Sequence, residues 1–322
     1  MKRKNHLFEQ ICDIGNLRLA DRLASRGKSH QYGVQLHRKN QEENLLQLQN
    51  MLLDKTYRTS EYTTMKVYEP KERTVYRLPY FPDRIAHHAI MNILEPVFVA
   101  MFTADTYSCI KGRGIHGALY KLKKALKNTD GTIHCLKLDI RKFYPEIDHV
   151  ILKALLRRKF KDKDLLWLLD EIIDSAPGVP IGNYLSQYFA NFYLTGLDHW
   201  LKEVKKVKYY FRYADDLVIL ADNKPYLHQL RADIASYLEL QLNLKMKGNY
   251  QVFPVSARGI DFLGYVSFHS HILLRKRIKK NFARKMANGA GPESLASYLG
   301  WLIHCNSKNL TKKILNPTNE EL

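Results

Sequence analysis

The pattern of hydrophobic and polar positions is most informative at residues 209–220, where two apolar runs flank a short acidic pair. Both runs are rich in aromatic and β-branched residues, which favour strands, and Asp215 and Asp216 lie between them. Aspartate is well tolerated in tight turns, so the pattern predicts a β-hairpin with both carboxylates at its tip. Adjacent carboxylates repel each other, and a divalent cation is the simplest group that would neutralise them. An ordinary polar turn is the alternative for an isolated pair of this kind.

A second acidic strand end lies upstream. Residues 135–140 alternate apolar and polar side chains, which predicts a strand that ends near Asp139, and Pro145 prevents its continuation. A lone aspartate on a strand is usually solvated or salt-bridged. Together with Asp215 and Asp216, however, Asp139 makes three carboxylates available to one site, which favours metal-assisted chemistry.

A cationic hairpin is predicted still earlier in the chain. Residues 63–79 alternate like two paired strands around a turn at residues 69–73. Lys71 and Arg73 lie in this turn, and further lysine and arginine residues lie on the strands, so the hairpin is suited to holding a triphosphate. The alternative is a solvated edge hairpin whose charges prevent aggregation.

Most of the remaining chain follows helical periodicity. Residues 1–60 are predicted to be mostly helical, and residues 42–53 carry leucine and methionine at helical spacing. Asp83 is expected to cap the next helix at its N-terminus. Residues 258–265 are predicted to form one strand of a hairpin. Further helices are predicted at residues 118–127, 150–160, 165–173, 226–240, 273–285 and 294–303, with one long apolar helix from residue 184 towards residue 201.

Length and charge narrow the class of protein. A chain of 322 residues with 45% hydrophobic side chains has room for two or three subdomains, and a net charge of +19 favours a polyanionic partner, most simply nucleic acid. A membrane surface is the rival, but no apolar run approaches the roughly 18–20 residues that a membrane span needs. Cys12, Cys109, Cys135 and Cys305 are scattered, so we expect a reducing, cytoplasmic protein without structural zinc.

Two basic segments are candidates for nucleic-acid contact. Arg113 lies in a Gly-Arg-Gly turn that leads into a lysine-rich helix, and the predicted helix at residues 273–285 is strongly basic with one apolar face. Such a helix suits gripping the phosphate backbone of a duplex. A solvated charged face is the alternative for both segments. The residues expected to contact nucleic acid in the segment at residues 273–285 are Arg275, Lys276, Arg277, Lys279 and Lys280.

The predicted carboxylates suit phosphoryl transfer from a nucleoside triphosphate. In such reactions two divalent ions, roughly 3.5–4 Å apart, activate the attacking 3′-hydroxyl and stabilise the leaving pyrophosphate. Magnesium prefers hard oxygen ligands, which an aspartate on one strand and two at the tip of a neighbouring hairpin would provide. Catalysis would then consist of positioning and charge neutralisation, with little covalent chemistry from the protein.

The order of these motifs resembles that of the reverse transcriptases, from about residue 57 to about residue 285. Leu-Lys-Leu-Asp-Ile-Arg-Lys-Phe-Tyr around Asp139 resembles the first metal motif of that family, and Tyr-Ala-Asp-Asp, which ends in Asp215 and Asp216, resembles the second. The resemblance implies an α+β right-hand polymerase fold, with fingers, a palm built on an antiparallel sheet and a short helical thumb. It also implies two Mg²⁺ ions, for which Mn²⁺ can substitute, held by the three catalytic aspartates and the Ile140 carbonyl oxygen.

The resemblance assigns roles to several further residues. Tyr144 matches the position of the steric gate that excludes a 2′-hydroxyl, and Phe262, Leu263 and Gly264 resemble the primer grip. The enzyme class implied is RNA-directed DNA polymerase, with template RNA, the RNA/cDNA duplex and deoxynucleoside triphosphates (dNTPs) as partners. The other residues expected at the bound dNTP are Lys71, Arg73, Ile181, Gly182 and Gln187.

A variant motif narrows the resemblance further. Pro-Ile-Gly-Asn-Tyr-Leu-Ser-Gln begins at Pro180, where most reverse transcriptases have Gln-Gly and end in Ser-Pro. Ile181 and Gln187 resemble the variant found in reverse transcriptases of diversity-generating retroelements in phages and bacteria. This resemblance implies error-prone copying of a template-repeat RNA, with misincorporation opposite adenine. It also implies a small basic accessory protein oligomer as a partner, and no membrane.

The subdivision of the chain is expected to follow the same resemblance. Fingers are expected at residues 1–88 and 149–180, the palm at residues 89–148 and 181–266, and the thumb at residues 267–322. A reverse transcriptase of a bacterial defence system or of a group II intron lineage is the alternative function. From a different class, an inactive RNA-binding scaffold is a third. The three intact aspartates argue against a scaffold, since clustered charges without a metal reduce stability.

Overall fold

The computed structural model describes residues 3–68 and 72–315. These residues divide into two compact units. The first unit comprises the described residues of Met1–Cys109, Ile140–Val204 and Ala235–Met246, and the second comprises those of Ile110–Asp139, Lys205–Ile234 and Lys247–Leu322. The expected boundaries of fingers, palm and thumb stay a prediction.

Helices are the commonest elements. In chain order they are α1 (Phe8–Cys12), α2 (Ile14–Ser25), α3 (Tyr32–Lys39), α4 (Gln41–Leu53), α5 (Ile85–Val99), α6 (Gly114–Ala125), α7 (His149–Lys159), α8 (Lys163–Asp174), α9 (Tyr184–Tyr193), α10 (Thr195–His199), α11 (Lys224–Leu242), α12 (Val255–Arg258), α13 (Lys276–Ala287), α14 (Pro292–Leu302) and α15 (Lys308–Leu315). The prediction of a mostly helical N-terminal region is confirmed by α1–α4. Across residues 3–68 and 72–315, no helix has the length and apolar character needed to cross a membrane.

Strands form three antiparallel sheets in the described part of the chain. They are β1 (Thr63–Val67), β2 (Arg73–Arg77), β3 (His134–Asp139), β4 (Tyr209–Tyr213), β5 (Asp216–Ala221), β6 (Gln251–Pro254), β7 (Ile260–Phe262), β8 (Tyr265–Ser267) and β9 (Ile272–Leu274). The first sheet pairs β1 with β2, the second has the order β4-β5-β3-β6, and the third has the order β7-β8-β9. The predicted α+β class with an antiparallel sheet is confirmed, as is the predicted hairpin of β1 and β2.

The four-stranded sheet brings distant parts of the sequence together. β3 lies between β5 and β6, and in the β3–β5 register Asp139 is opposite Asp216. Leu136 and Leu138 are buried, whereas Lys137 and Asp139 are only partly buried. Since successive side chains of a strand point to opposite faces, the two leucines share the core face and Lys137 lies beside Asp139 on the other.

The C-terminal region differs from the prediction in two places. Residues 258–265, expected as one strand, contain the end of α12, then β7, a turn and the start of β8. The chain turns because Leu263 and Gly264 both have positive φ, at 53° and 89°. The helix expected from residue 273 begins at Lys276, after β9. The region predicted as a helical thumb therefore contains a strand as well as α13, α14 and α15.

Two local predictions are wrong for reasons visible in the hydrogen bonds. The expected long apolar helix is interrupted at Leu194, between α9 and α10. There Thr195 Oγ1 donates to the Asn191 carbonyl oxygen at 3.1 Å, a side-chain bond that bends helices. Asp83 does not cap a helix, because its side chain is fully buried and accepts a hydrogen bond from the Tyr57 hydroxyl at 2.9 Å.

Helix α4 shows which apolar positions of the helical pattern are buried. Leu45, Leu48 and Leu52 are fully buried, whereas Leu46 and Leu53 are 50% and 52% exposed. Positions i, i+3 and i+7 lie on one face of a helix, so the buried set forms a single apolar stripe.

Replacement of Leu48 by alanine should destabilise the protein far more than the same replacement at Leu46. Leu48→Ala leaves a cavity in the core, for which we expect a loss of about 2–5 kcal/mol in the free energy of unfolding. Leu46→Ala, in the same helix, should cost less than about 1 kcal/mol because this side chain is half exposed. Urea denaturation of both variants measures the difference, and equal losses would contradict this packing of α4.

Candidate active site

Three carboxylates lie at one end of the four-stranded sheet. Asp139 is the last residue of β3, Asp216 is the first of β5, and the two are direct partners across the strands. Asp215 lies in the tight β4–β5 turn, beside Ala214 with its φ of 53°. The predicted hairpin and its pairing with the upstream strand are therefore confirmed, whereas the catalytic role of the three residues stays a prediction.

Two lysines neutralise part of this negative charge. Lys247 Nζ lies 2.6 Å from Asp139 Oδ2, and the Lys247 N–H donates to the Asp139 carbonyl oxygen at 2.9 Å. Lys137 Nζ lies 3.8 Å from Asp216 Oδ2 and also donates to the Asp261 carbonyl oxygen. The sequence motifs do not identify Lys137, although the period of two along a strand already places it beside Asp139.

The two lysines do not fully compensate for the burial and mutual repulsion of the carboxylates, so the pKa values of two aspartates are raised. Burial raises the pKa of Asp216 to about 7, with Lys137 opposing the rise and the charges of Asp139 and Asp215 adding to it. Burial, together with the Asp139 charge, raises the pKa of Asp215 to about 6. Asp139 Oδ1 and Asp216 Oδ1 are buried without a hydrogen-bond partner among the described residues. The site therefore carries carboxylate oxygens that no described residue satisfies with a hydrogen bond.

These donor atoms fit a divalent cation. Carboxylate oxygens are the ligands that Mg²⁺ prefers, and a bound cation would counteract the burial and the mutual repulsion that raise both pKa values. Within residues 3–68 and 72–315, no three His, Cys, Asp or Glu side chains already converge closely enough to hold a metal ion. Because Lys247 engages Asp139 at 2.6 Å, metal binding would compete with this ion pair.

The Ile140 carbonyl oxygen is the expected backbone ligand. Ile140 is buried and pairs with Met246 in an isolated antiparallel bridge. The hydrogen bonds flanking this bridge are made by the neighbouring residues, with the Asp139 carbonyl accepting at 2.9 Å and the Arg141 N–H donating at 2.8 Å. The bridge itself therefore does not use the Ile140 carbonyl oxygen, whose role as a ligand stays a prediction.

In the first unit, backbone hydrogen bonds join the segments that carry the expected nucleotide-binding residues. The Val179 N–H donates to the Tyr144 carbonyl oxygen at 2.9 Å, and the Tyr76 N–H donates to the Ile181 carbonyl oxygen at 2.7 Å. The turn at Tyr144, the loop at Ile181 and strand β2, which begins at Arg73, therefore form one connected group.

Glycines allow this close approach. Gly182 has a φ of 121°, and a Cβ atom there would overlap the Tyr76 carbonyl oxygen. Gly178 has a φ of 61°, and a Cβ atom there would overlap the Tyr144 carbonyl oxygen. Because these backbone atoms cannot move aside as a flexible side chain would, a larger residue at either position would separate the loop from its partners.

The other expected nucleotide and primer contacts are placed in several elements. Arg73 is exposed at the start of β2, Gln187 is exposed on α9, and Lys71 lies outside the described residues. Phe262 is buried at the end of β7, and the next two residues form the β7–β8 turn. A Cβ atom at Gly264 in that turn would overlap the Trp301 ring, so the turn packs directly against α14. The roles of all these residues stay predictions.

The predicted nucleic-acid contacts lie in the second unit. Arg113 is partly buried immediately before α6. Arg275 immediately precedes α13, and its Nε lies 2.5 Å from Asp261 Oδ1. Phe282 of α13 is fully buried, so the basic side chains of this helix lie away from the core. The exposed basic residues of α13 among those predicted are Lys276, Arg277, Lys279 and Lys280.

A sequence profile of a known family covers the carboxylate site. The profile, described as reverse transcriptase (RNA-dependent DNA polymerase), matches residues 69–267, more than half of the chain, and includes Asp139, Asp215 and Asp216. The chain belongs to the reverse transcriptase family. The predicted enzyme class, RNA-directed DNA polymerase, is thereby confirmed.

Two bacterial proteins are similar to this reverse transcriptase in sequence. Protein YkfC from Escherichia coli strain K12 is 24% identical over 260 residues, which are 66% of this chain and 67% of that protein. The group II intron-encoded protein LtrA from Lactococcus lactis subsp. cremoris is 26% identical over 177 residues, which are 51% of this chain and 29% of LtrA. The matches therefore span about two thirds of one relative and less than a third of the other.

A solved telomerase shares the fold of this reverse transcriptase. Telomerase from Candida tropicalis, in complex with a fragment of telomeric RNA, matches with a TM-score of 0.51 at 10% sequence identity. The match covers 85% of this chain and 58% of that chain. At this identity the similarity establishes the polymerase fold alone.

The raised pKa values make the stability of the metal-free reverse transcriptase depend on pH. The folded pKa of Asp216, about 7, lies above its ordinary value of 3.8, so the stabilising contribution of the protonated form is present at low pH and lost as the pH rises through about 7. We therefore expect Asp216→Asn to be more stable than the wild type at pH 8, with the advantage shrinking by about 1–2 kcal/mol at pH 5. The value of about 1–2 kcal/mol is reduced for solvent screening, because 29% of the Asp216 side chain is exposed.

Urea unfolding in EDTA at pH 5 and pH 8 measures this effect. Asp222→Asn is the matched control, because Asp222 is exposed just beyond the other end of β5 and should leave the wild-type pH dependence intact. An Asp216→Asn protein whose stability changes with pH as much as that of the wild type would contradict the electrostatic account.

Proposed function

We propose that this chain is an RNA-directed DNA polymerase that makes error-prone, adenine-mutagenic cDNA from a template-repeat RNA, for targeted diversification of a gene segment. The observation that carries the polymerase chemistry is the β3–β5 register, which sets Asp139 against Asp216 next to Asp215. The mutagenic subclass is supported by the isoleucine at position 181, in the loop that is bonded to β2.

The carboxylate cluster would bind two divalent ions, which would catalyse phosphoryl transfer by the two-metal mechanism. Mg²⁺ is the expected ion, and Mn²⁺ can substitute for it. Asp139, Asp215, Asp216 and the Ile140 carbonyl oxygen would hold them. Ions bound there supply Lewis acidity, which lowers the pKa of a 3′-hydroxyl and stabilises a leaving pyrophosphate. The protein contributes the buried negative charge that attracts cations, and the two lysines balance part of that charge when no metal is bound.

The connected group of the first unit is suited to holding the incoming dNTP. Arg73 presents an exposed guanidinium at the start of β2, and such a group can bind phosphate oxygens bidentately. Tyr144, whose carbonyl is held by the Val179 N–H, would exclude a 2′-hydroxyl with its ring. Lys71 and Gln187 complete the proposed set. Positioning of this kind supplies most of the catalysis in phosphoryl transfer.

Ile181 is the residue through which we explain loose base selection. Its carbonyl oxygen accepts a hydrogen bond from the Tyr76 N–H, so its backbone is fixed while its side chain is purely aliphatic. A glutamine at this position could hydrogen-bond near the nascent base pair, whereas isoleucine supplies only shape. With fewer directional contacts, the geometry of an incorrect pair is penalised less.

A second candidate is a reverse transcriptase of a group II intron lineage or of a bacterial defence system. The similarity to the group II intron-encoded protein LtrA favours the intron lineage. Neighbouring genes discriminate between the candidates. A template repeat and a variable repeat beside an accessory gene support diversification, and an intron surrounding the gene supports the second candidate.

The partners follow from the proposed function. They are template RNA, the RNA/cDNA duplex and dNTPs, with a small basic accessory protein oligomer specific to the diversity-generating subclass. The exposed basic residues of α13 support contact with a phosphate backbone. Cys12, Cys109, Cys135 and Cys305 are all unpaired, which supports a reducing, cytoplasmic setting.

Replacement of both Asp215 and Asp216 by alanine should abolish DNA synthesis while leaving RNA affinity intact. Loss of the metal ligands removes several kcal/mol of transition-state stabilisation, so primer extension should fall by more than about 100-fold. Fluorescence anisotropy with labelled RNA should change by less than about twofold, since phosphate contacts are made by basic residues elsewhere. Asp222→Ala, at an exposed position just beyond β5, is the matched control. Retained synthesis in the double variant would refute the assignment of the site.

The Ile181→Gln variant should reduce misincorporation opposite adenine. Glutamine restores a hydrogen-bonding group at this position, so we expect the adenine error rate to fall by about two- to tenfold, measured by sequencing of cDNA copied from a defined RNA. Ile181→Leu preserves an aliphatic side chain and should keep the wild-type error rate. An unchanged adenine error rate in Ile181→Gln would reject this role for the residue.

A further inference from the structure

A cavity of about 290 Å³ opens in the second unit beside α6 and the segment that follows α14. His116, Tyr120 and Lys123 line it from α6, where the spacings i, i+4 and i+7 place them on one helical face. His304 and Asn306 line it from the segment after α14. None of these residues belongs to the carboxylate site or to the expected nucleotide and primer contacts.

Three aromatic rings, those of His116, Tyr120 and His304, contribute to the lining of the cavity. The His116 and His304 rings are stacked, with centroids 3.7 Å apart and planes 25° from parallel. Burial, assisted by His304, lowers the pKa of His116, so its imidazole is neutral at physiological pH. His116 Nε2 lies 3.3 Å from the Tyr265 hydroxyl, which fixes the ring on the core side. Tyr120 is 67% exposed, so its ring is accessible to a ligand in the cavity.

The charge around the cavity is positive. Residues 106–129, which include α6, contain no aspartate or glutamate, and residues 262–319 contain Glu293 as their single acid. Lys123 lies on the cavity itself, and Lys121, Lys124 and Lys127 are exposed on or just after the same helix. An anionic ligand is therefore favoured over a cationic one.

We propose that this cavity binds an unpaired nucleobase of single-stranded RNA, with the base against the Tyr120 and His304 rings and a neighbouring phosphate at Lys123. Exposed aromatic rings interleaved with lysines are the combination that binds single strands, because every base offers a face for stacking and every linkage a charge. The bases of a duplex are already stacked and paired, so a duplex would contact the lysines through its phosphates and would not stack on the aromatic rings. The identity of the ligand as RNA rests on the proposed function.

The position of the cavity in the fold supports this ligand. Trp301 packs against Gly264 in the β7–β8 turn, which is the expected primer grip, and its carbonyl accepts a hydrogen bond from the Tyr265 hydroxyl at 3.0 Å. His304 follows Trp301 by three residues and lines the cavity. The cavity is thus attached, through α14, to a turn that is itself expected to contact the nucleic acid.

The experiment is photo-crosslinking of the full chain to an oligouridylate of about 12 residues that carries 4-thiouridine, with the labelled peptides mapped by mass spectrometry. We expect crosslinks at Tyr120, His304 or Cys305. Unlabelled oligouridylate should compete for them about five- to tenfold better than an abasic oligomer of the same charge, since stacking is lost without bases. Crosslinks confined to other segments, or equal competition by the abasic oligomer, would overturn the proposal.

Variants at the exposed tyrosine sharpen the test. Tyr120→Ala should lower labelling of the His304 peptide by about five- to tenfold, whereas Tyr120→Phe, which keeps the ring, should retain it. Tyr32→Ala is the matched control, because Tyr32 is 78% exposed on α3, far from this site in sequence. Unchanged labelling in Tyr120→Ala would refute the site. If the cavity is labelled but the protein does not extend a primer, the proposed function is contradicted and the RNA-binding role of the cavity is not. If the protein extends a primer but the cavity is not labelled, only the RNA-binding role of the cavity is contradicted.

Discussion

Partial burial of Asp139, Asp215 and Asp216 beside one another, with the mutual repulsion that this adds, is the constraint on which the candidate active site depends. The register of β3 with β5 forces the carboxylates together, and their burial raises the pKa of Asp216 to about 7. Lys247 and Lys137 offset only part of this repulsion, and two carboxylate oxygens have no hydrogen-bond partner among the described residues. The protein therefore maintains a charge distribution that stability alone would not favour, as is common where a cation is used in catalysis.

Charge compensation also links the site to its surroundings. Lys137 donates to the Asp261 carbonyl oxygen in β7, so the residue that balances Asp216 also ties β3 to the strand before the expected primer grip. The turn that follows β7 packs on Trp301 of α14, and α14 leads to the aromatic cavity. One continuous set of contacts in the second unit thus extends from the carboxylates to the proposed RNA-binding cavity. In the first unit, backbone hydrogen bonds rather than charges hold the expected nucleotide-binding residues together.

The sequence predicts best where one local rule acts alone. The Asp-Asp hairpin follows from strand-forming residues on both sides of an acidic turn, and the strand ending at Asp139 follows from period-two alternation. Both are present. Helix α4 is also found, but which leucines it buries depends on tertiary neighbours, so Leu46 is exposed although the pattern includes it. The break at Leu194 coincides with a hydrogen bond from the Thr195 side chain to the Asn191 carbonyl oxygen, a contact that hydrophobic periodicity cannot indicate.

Contacts between distant segments set the limit of such prediction. Lys247 lies 2.6 Å from Asp139 although the two are far apart in sequence, and no motif indicates that pairing. His116 and His304 stack only because α6 and the end of α14 meet in the folded chain. The family is recognisable from its motifs because the chemistry needs particular residue types at particular strand ends, whereas the counterions and the cavity can be built from many sequences.

Extension of a DNA primer on an RNA template containing all four bases, with the products sequenced, tests the central claim most directly. The reaction is run with Mg²⁺ and, in parallel, with EDTA. We predict Mg²⁺-dependent DNA synthesis in which substitutions concentrate opposite template adenine. Synthesis that persists in EDTA would contradict the carboxylate site, and substitutions spread evenly over the four template bases would contradict the mutagenic function.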